Sequence, residues 1–172
     1  ALLQPIGVDP VFADNPDNKI ALHQLESLIR HAYEMTADDL LGLHHGEFIE
    51  RSMSHILGYI LMNCETVEEA LYKYCHYEKI VNDISETTYA RESDSLRVTI
   101  SLESASPFFA RYFVEYTFAA TRQYVKILTK KDIAIDEVSF VHKRPNDISE
   151  YVRIFQCPVH FSAAANVLTI PH

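Results

Sequence analysis

Glycine is scarce in this sequence, with four residues among 172. None of the four belongs to a GxGxxG fingerprint, a phosphate-binding P-loop or a GxSxG nucleophile elbow. Loops that hold phosphate groups depend on closely spaced glycines, so the scarcity argues against a nucleotide-dependent enzyme. The residue types of a cysteine hydrolase are present, as in most proteins, but no motif arranges them. We therefore do not expect an enzyme.

Cysteine is also rare, since Cys64, Cys75 and Cys157 form an odd set without a CxxC pair. A disulfide framework is not expected from such a set, which fits a reducing compartment such as the cytoplasm. Cys157 and His160 have the spacing of half a zinc site, but a structural site needs about four ligands and no second pair matches. We expect neither a metal nor another cofactor.

Long apolar runs are missing, because none reaches the length of about 20 residues that spans a bilayer. The first ten residues lack a basic region followed by a long apolar stretch, so no secretory signal is predicted. These features favour a cytoplasmic protein. The formal net charge is −9, and a surface of that sign repels nucleic-acid phosphates, so we expect residues 1–172 alone to bind DNA poorly.

The N-terminal part of the chain has the periodicity of amphipathic helices. Apolar residues recur at helical spacing over about 19–34, which predicts the first helix. Thr36 is positioned to cap a second helix, with two aspartates in its first turn. Gly42 and Gly46 indicate that this second helix is short or closely packed.

Two further helices are predicted before the pattern changes. Residues 52–63 are apolar, with Met53 on the predicted buried face. Thr66 and Glu69 form a capping box, in which each side chain can bond the backbone N–H of the other residue. Apolar residues follow at positions i, i+3, i+4 and i+7, so a helix is predicted over about 67–79.

The period then changes to two, which indicates strands. Residues 96–102 alternate between apolar and polar, and 86–91 is expected to pair with them as a hairpin around 93–95. Pro107 suits the first turn of a long helix that runs to about Leu128. The remaining predicted elements are a strand over 136–142, a helix over 147–155 and short strands over 159–161 and 167–170.

This order of elements predicts an α+β fold. We expect a single domain with N-terminal helices and a small, mostly antiparallel sheet, packed on the long aromatic-rich helix. The pattern contains no internal repeat, no low-complexity segment and no linker.

The helix predicted after Pro107 has the most informative local pattern. It carries six aromatic rings within eleven positions, more than one helical face can hold, so some rings must have different surroundings. One interpretation is a core helix with one solvated side. The other is a pocket wall, in which the hydroxyls of Tyr112 and Tyr116, one turn apart, contact one ligand and an arginine holds an acid. The candidate ligand-binding residues are Phe109, Arg111, Tyr112, Phe113, Tyr116 and Arg122.

Three stretches of the chain carry a known pattern. They are residues 36–46 (TADDLLGLHHG), residues 57–83 (LGYILMNCETVEEALYKYCHYEKIVND) and residues 138–170, which contain VSFVHKRP, YVRIFQCPVHF and ANVLTI. In order and spacing they resemble the N-terminal effector-binding, or arabinose-binding-like, domain of AraC-type transcription regulators. The opening GVDPVFADNPDNKI is also similar to the start of that family, so the resemblance covers nearly the whole chain.

The resemblance implies that residues 1–172 are the sensory domain of a bacterial regulator. Such a domain would bind a small-molecule effector, associate as a homodimer and modulate an attached DNA-binding domain. Members of the family continue into a pair of helix-turn-helix motifs, so DNA contact is expected only through that further domain. A fatty acid, an amino acid or an aromatic acid would suit an aromatic pocket with an arginine. Two alternatives stay open: a dimerisation or scaffold module without a ligand, and an enzyme.

Overall fold

Residues 18–49 and 56–171 are described by the computed structural model, and they fall into two units that divide between Leu41 and Gly42. Met53 and the beginning of the helix predicted over 52–63 lie outside the described residues.

In the first unit, helix α1 (Leu22–Thr36) confirms the first predicted helix. Thr36 was predicted to cap the next helix, and this was wrong. Its hydroxyl donates to a carbonyl of its own helix at 2.9 Å, and Ala37 ends α1 with a left-handed φ of 51°. Asp38 instead forms the turn that follows, since its carboxylate accepts a hydrogen bond from the backbone of Leu40 at 2.9 Å.

Three helices come next: α2 (Leu41–Glu47), α3 (Ile56–Met62) and α4 (Val67–Val81). The predicted capping box of α4 is present only in part. Thr66 Oγ1 accepts from the backbone N–H of Glu69 at 3.0 Å, as expected. The carboxylate of Glu69, however, accepts from the backbone N–H of Glu65 at 2.9 Å, one residue earlier than the box requires.

The strands form one five-stranded sheet in the order β1-β2-β5-β3-β4. Their bounds are β1 (Ser85–Arg91), β2 (Ser95–Leu102), β3 (Glu137–Ser139), β4 (Val159–His160) and β5 (Asn166–Pro171). All neighbouring pairs are antiparallel except β3 and β4, so the mostly antiparallel sheet and the predicted hairpin are confirmed. In β2, burial alternates along the strand as the period-two pattern predicted.

The long helix is α5 (Pro107–Thr129), with Pro107 in its first turn and Ser106 as its N-cap. Helix α2 packs closely against it through two glycines. A Cβ atom at Gly42 would lie 2.5 Å from the backbone oxygen of Tyr112, and one at Gly46 would lie 2.5 Å from that of Tyr116. The close packing predicted for these glycines is therefore confirmed.

An aromatic cluster around Phe140, the residue after β3, forms part of the core. Its ring lies 5.6 Å from that of Phe118 on α5, and 5.5 Å and 6.0 Å from those of Tyr151 and Phe155. The last two belong to helix α6 (Ser149–Phe155), which matches the helix predicted over 147–155. All four side chains are completely buried. The cluster therefore joins α5, α6 and the sheet in one core.

The α+β class is confirmed by this combination of helices and one mostly antiparallel sheet. Among the described residues, no helix is both long enough and apolar enough to cross a membrane.

Candidate ligand-binding cavity

A cavity of about 260 Å³ lies between α5, the helices α3 and α4, and the hairpin β1–β2. Its walls come from residues in all of these elements and from Ile49. They are Ile49, Leu57, Gly58, Leu61, Val67, Ala70, Leu71, Tyr74, Val81, Asn82, Thr87, Val98, Ile100, Phe113, Tyr116, Thr117, Ala120, Thr121, Tyr124, Val125 and Leu128. All of these side chains are uncharged, and most are hydrocarbon.

Simple periodicity explains why these residues share one space. On α5, the lining positions from Phe113 to Leu128 repeat as i, i+3, i+4 and i+7, which is one stripe of a helix. On α4, the spacing from Val67 to Tyr74 is the same, and on β2, Val98 and Ile100 are two residues apart on one face. The cavity is thus the place where three amphipathic faces meet.

Two threonines on the α5 wall have their hydroxyl protons engaged within the helix. Thr117 Oγ1 donates to the carbonyl of Phe113 at 2.8 Å, and Thr121 Oγ1 donates to the carbonyl of Thr117 at 2.7 Å. These bonds turn the polar side of each threonine toward its own backbone. The α5 wall therefore presents mainly carbon to the cavity.

The carboxylate of Glu78 is buried next to the polar residues of the cavity wall. Glu78 on α4 is 2% exposed, and it accepts from the hydroxyl of Ser85 at 2.5 Å and from the amide of Asn82 at 3.3 Å. Thr87 donates twice, from its backbone N–H at 2.9 Å and from its hydroxyl at 3.0 Å. Asn82 and Thr87 also line the cavity, so they separate Glu78 from it.

Tyr74 lies beside this group on the same helix. Burial raises the pKa of its phenol above the usual value, and the nearby carboxylate of Glu78 raises it further. The phenol is therefore neutral under ordinary conditions. Sequence reasoning gave no signal for this cluster, because a glutamate within a predicted helix is usually solvated.

Of the six candidate ligand-binding residues, Phe113 and Tyr116 line the cavity. Phe109 is completely buried in the core, with its ring 6.0 Å from those of Tyr112 and Phe113. Tyr112 is also buried, and its hydroxyl lies 2.7 Å from Nδ1 of His45. Burial raises the pKa of Tyr112 and lowers that of His45, so a neutral phenol meets a neutral imidazole.

The two candidate arginines contact carboxylates elsewhere. Arg111 Nε donates to Glu115 at 2.7 Å, and its guanidinium also bonds the hydroxyl of Tyr151 at 3.3 Å. Glu115 is 2% exposed and also accepts from that hydroxyl, so Arg111 supplies the charge that a buried carboxylate needs. Arg122 donates to Asp132 at 3.1 Å. Neither arginine is part of the cavity wall.

The comparisons with known proteins agree with this fold. The family model described as "Arabinose-binding domain of AraC transcription regulator, N-term" matches residues 1–172. The solved structure of the transcriptional regulator CdpR from Pseudomonas aeruginosa is similar, with a TM-score of 0.64 at 23% identity. That match covers 96% of this chain and 56% of the CdpR chain, so the present chain spans little more than half of that regulator. No curated protein matches the sequence.

Proposed function

Because the chain belongs to the family of arabinose-binding N-terminal domains of AraC transcription regulators, we propose that residues 1–172 sense a small-molecule effector and modulate an attached DNA-binding domain. The observation that carries the proposal is the cavity of about 260 Å³ beside α5. Apolar side chains normally pack against one another, so a pocket of this size with a mainly apolar wall has room for a small molecule.

The proposed mechanism is a change in population between two conformations. A molecule in the cavity would contact α3, α4, the β1–β2 hairpin and α5 at once. The bound molecule therefore stabilises the conformation in which these elements fit around it. The size of this effect equals the difference between its binding free energies for the two conformations. The attached domain would then engage its DNA sites differently in the two states.

A cavity-filling substitution tests the location of the site. Ala70 lines the cavity and is 6% exposed, so Ala70→Leu places additional side-chain carbon in the space a ligand would occupy. Ala90→Leu is the matched control, since Ala90 is exposed on β1. A ligand found by thermal-shift screening should bind the wild type and Ala90→Leu alike, and bind Ala70→Leu at least about tenfold more weakly. Equal stabilisation of Ala70→Leu would place the ligand elsewhere.

The same screen separates the alternatives. A scaffold module without an effector predicts that no compound stabilises the protein. An enzyme predicts that a bound compound is converted during incubation, whereas a sensor returns it unchanged, which mass spectrometry measures directly. We propose binding without turnover, in the cytoplasm of a bacterium, as expected for a regulator.

We also propose that the domain forms a homodimer. In the sequence, apolar residues are in surplus on the long helix and around residues 53–61, more than one buried face needs. The apolar residues of α5 from Phe108 to Leu128 are all buried or partly buried, but Ile56 and Tyr59 on α3 are 61% and 67% exposed. Tyr72 and Ile80 on α4 are each 56% exposed as well. Exposed apolar groups of this kind favour association.

Light scattering at increasing protein concentration tests this proposal. Wild-type protein is expected to reach the mass of a dimer, and a Tyr59→Glu, Ile56→Glu double variant is expected to stay monomeric. The matched control is Thr88→Glu, on the exposed side of β1. A wild type that stays monomeric at all concentrations would contradict dimerisation through this domain.

A further inference from the structure

The cavity is selective in charge, and this follows from what surrounds it. Every described side chain in its wall is neutral at ordinary pH. An ion that enters such a space loses hydration without gaining a counter-charge from any described residue of the wall, which is strongly unfavourable. The two arginines that could have held an acid are engaged with Glu115 and Asp132 and are not part of the wall.

Glu78 adds a repulsion to this desolvation penalty. It is 2% exposed, and the four hydrogen bonds it accepts come from neutral groups: two hydroxyls, one amide and one backbone N–H. None of these bonds comes from a cation, and the ammonium of Lys79 is bonded instead to the carbonyl of Ser85 at 2.8 Å. Two of the partners of Glu78, Asn82 and Thr87, are themselves in the cavity wall. An anionic ligand would thus approach a buried negative charge across one layer of side chains.

The amide of Asn82 and the hydroxyl protons of the α5 threonines in the wall already have partners within the protein. The wall also contains the hydroxyls of Tyr74, Tyr116 and Tyr124. The amide of Asn82 donates to Glu78 and Ser85, and its oxygen accepts from the backbone of Ile84 and Ser85. The threonines on α5 donate to their own helix. A sugar has a hydroxyl on nearly every carbon, and burying those groups without partners is unfavourable. This wall suits a molecule with few polar groups.

From these contacts we infer that the cavity takes an uncharged, mainly apolar molecule and excludes both carboxylates and sugars. The inference rests on the proposed function and names the chemical class of its effector. The size agrees, since a cavity of about 150 Å³ holds one benzene ring. A volume of about 260 Å³ therefore fits a molecule of one to two rings, or a medium-length alkyl chain with a neutral polar end.

A displacement assay with ligands matched in length tests this inference. The reporter is 6-propionyl-2-(dimethylamino)naphthalene, a neutral two-ring dye whose emission depends strongly on the polarity of its surroundings. Decan-1-ol, decanoate and L-arabinose are then added at about pH 8, where a carboxylic acid is ionised. Decan-1-ol is expected to displace the dye with an affinity at least about tenfold higher than that of decanoate, and L-arabinose is expected to displace none.

Two variants connect the result to this cavity. Ala70→Leu should weaken dye binding while Ala90→Leu leaves it unchanged. Glu78→Gln removes the buried charge at nearly constant shape, so it should narrow the difference between decan-1-ol and decanoate. The comparison of the two ligands on the wild-type protein decides the inference by itself if Glu78→Gln does not fold.

The outcomes distinguish this inference from the proposed function. If the dye binds in the cavity but decanoate or L-arabinose displaces it as well as decan-1-ol does, the ligand class is wrong and the cavity remains a binding site. If neither the dye nor decan-1-ol binds the wild type while another compound stabilises it in the thermal-shift screen, the ligand class is wrong and the proposed function stands. If no compound in that screen stabilises the wild type either, both proposals are overturned.

Discussion

The rings of Tyr112 and Tyr116 stack with their centroids 6.2 Å apart and their planes 7° from parallel, yet their surroundings differ. The hydroxyl of Tyr112 meets His45, whereas Tyr116 lines the cavity. Although the two tyrosines are one turn apart on the same helix, Tyr112 makes a structural contact and Tyr116 belongs to the candidate site.

Substitution of the two tyrosines separately should give different results. Tyr112→Phe removes the hydrogen bond to His45 and should lower the free energy of unfolding by about 1 kcal/mol, with little change in dye affinity. Tyr116→Ala removes part of the cavity wall and should weaken binding of 6-propionyl-2-(dimethylamino)naphthalene at least about fivefold. Urea unfolding and fluorescence titration measure the two effects. Weaker dye binding by Tyr112→Phe than by Tyr116→Ala would contradict this division.

Gly46→Ala should destabilise the protein, although alanine is the better helix former. In an exposed helix interior the exchange gains about 0.5–1 kcal/mol. Here the new Cβ would lie 2.5 Å from the backbone oxygen of Tyr116 and 2.6 Å from the Cβ of Ala119. The two helices would have to separate, at a cost of about 1–3 kcal/mol. A gain in stability, measured by urea unfolding, would show that α2 and α5 are not in close contact.

Glu78→Leu should be among the most destabilising single substitutions in the second unit. It leaves the donors of Ser85 and Thr87 buried without an acceptor, which costs about 1–3 kcal/mol for each such group. Glu86→Leu, at an exposed position of β1, is the control and should change stability by about 0.5 kcal/mol or less. Similar midpoints of thermal unfolding for the two variants would mean that Glu78 does not organise this turn.

Stability should decrease as the pH falls below 6.5, the ordinary pKa of histidine. Burial lowers the pKa of His142 in the folded protein, and the nearby Arg111 adds to this effect, against a backbone hydrogen bond that opposes it. The unfolded chain therefore takes up a proton at a pH where the folded protein does not. The free energy of unfolding consequently has its full value above pH 6.5, with respect to this group, and declines as the pH falls below 6.5. His45, whose pKa is also lowered, acts in the same direction.

The variant His142→Phe tests this origin of the pH dependence. Phenylalanine keeps an aromatic ring beside Phe140 and Phe161, whose rings lie 4.9 Å and 5.5 Å from that of His142, but it does not titrate. The decrease in stability between about pH 7 and about pH 5.5 should become smaller than in the wild type. His23→Phe, at an exposed position of α1, should leave it unchanged. If the free energy of unfolding of His142→Phe decreases as much as that of the wild type, groups other than His142 cause the pH dependence.

Residues 1–172 by themselves should bind duplex DNA weakly and without sequence preference. The formal net charge of −9 repels the phosphates that supply most of the affinity in protein–DNA complexes. Fluorescence anisotropy with promoter DNA at moderate salt measures the affinity directly. Tight, sequence-dependent binding would contradict the proposal that DNA is contacted through an attached domain.

Elements whose signal is local were predictable from the sequence. Helix α4 and strand β2 have clear periods of 3.6 and 2, and each appears within two residues of its predicted bounds. Hydrogen bonds for which two nearby partners compete were not predictable. Thr36 could have capped the helix after it, but its hydroxyl bonds to the helix that contains it. Glu69 had two backbone donors within reach and bonds the earlier one, that of Glu65.

The candidate site shows the same limit. The aromatic residues of α5 drew attention to a helix that lines the cavity, but the lining positions follow spacing rather than residue type, and they continue from Tyr116 through Thr121 to Leu128. The pair of Arg111 and Glu115 is separated by four residues and was readable as an ion pair along one helix. The burial of Glu78 was not readable, because its donors come from the turn and strand that fold back over α4.

The position of β5 in the sheet determines the order in which the sheet can form. This strand is synthesised after the other four, yet it pairs with both β2 and β3 and so joins the two parts of the sheet. The β1–β2 hairpin closes a short loop and can form early, whereas the β2–β5 pairing must close a loop of more than sixty residues. Until residues 166–171 leave the ribosome, the backbone groups on one edge of β2 have no partner strand, and its apolar side chains are not yet covered. Strands in this condition can pair with a wrong partner and aggregate.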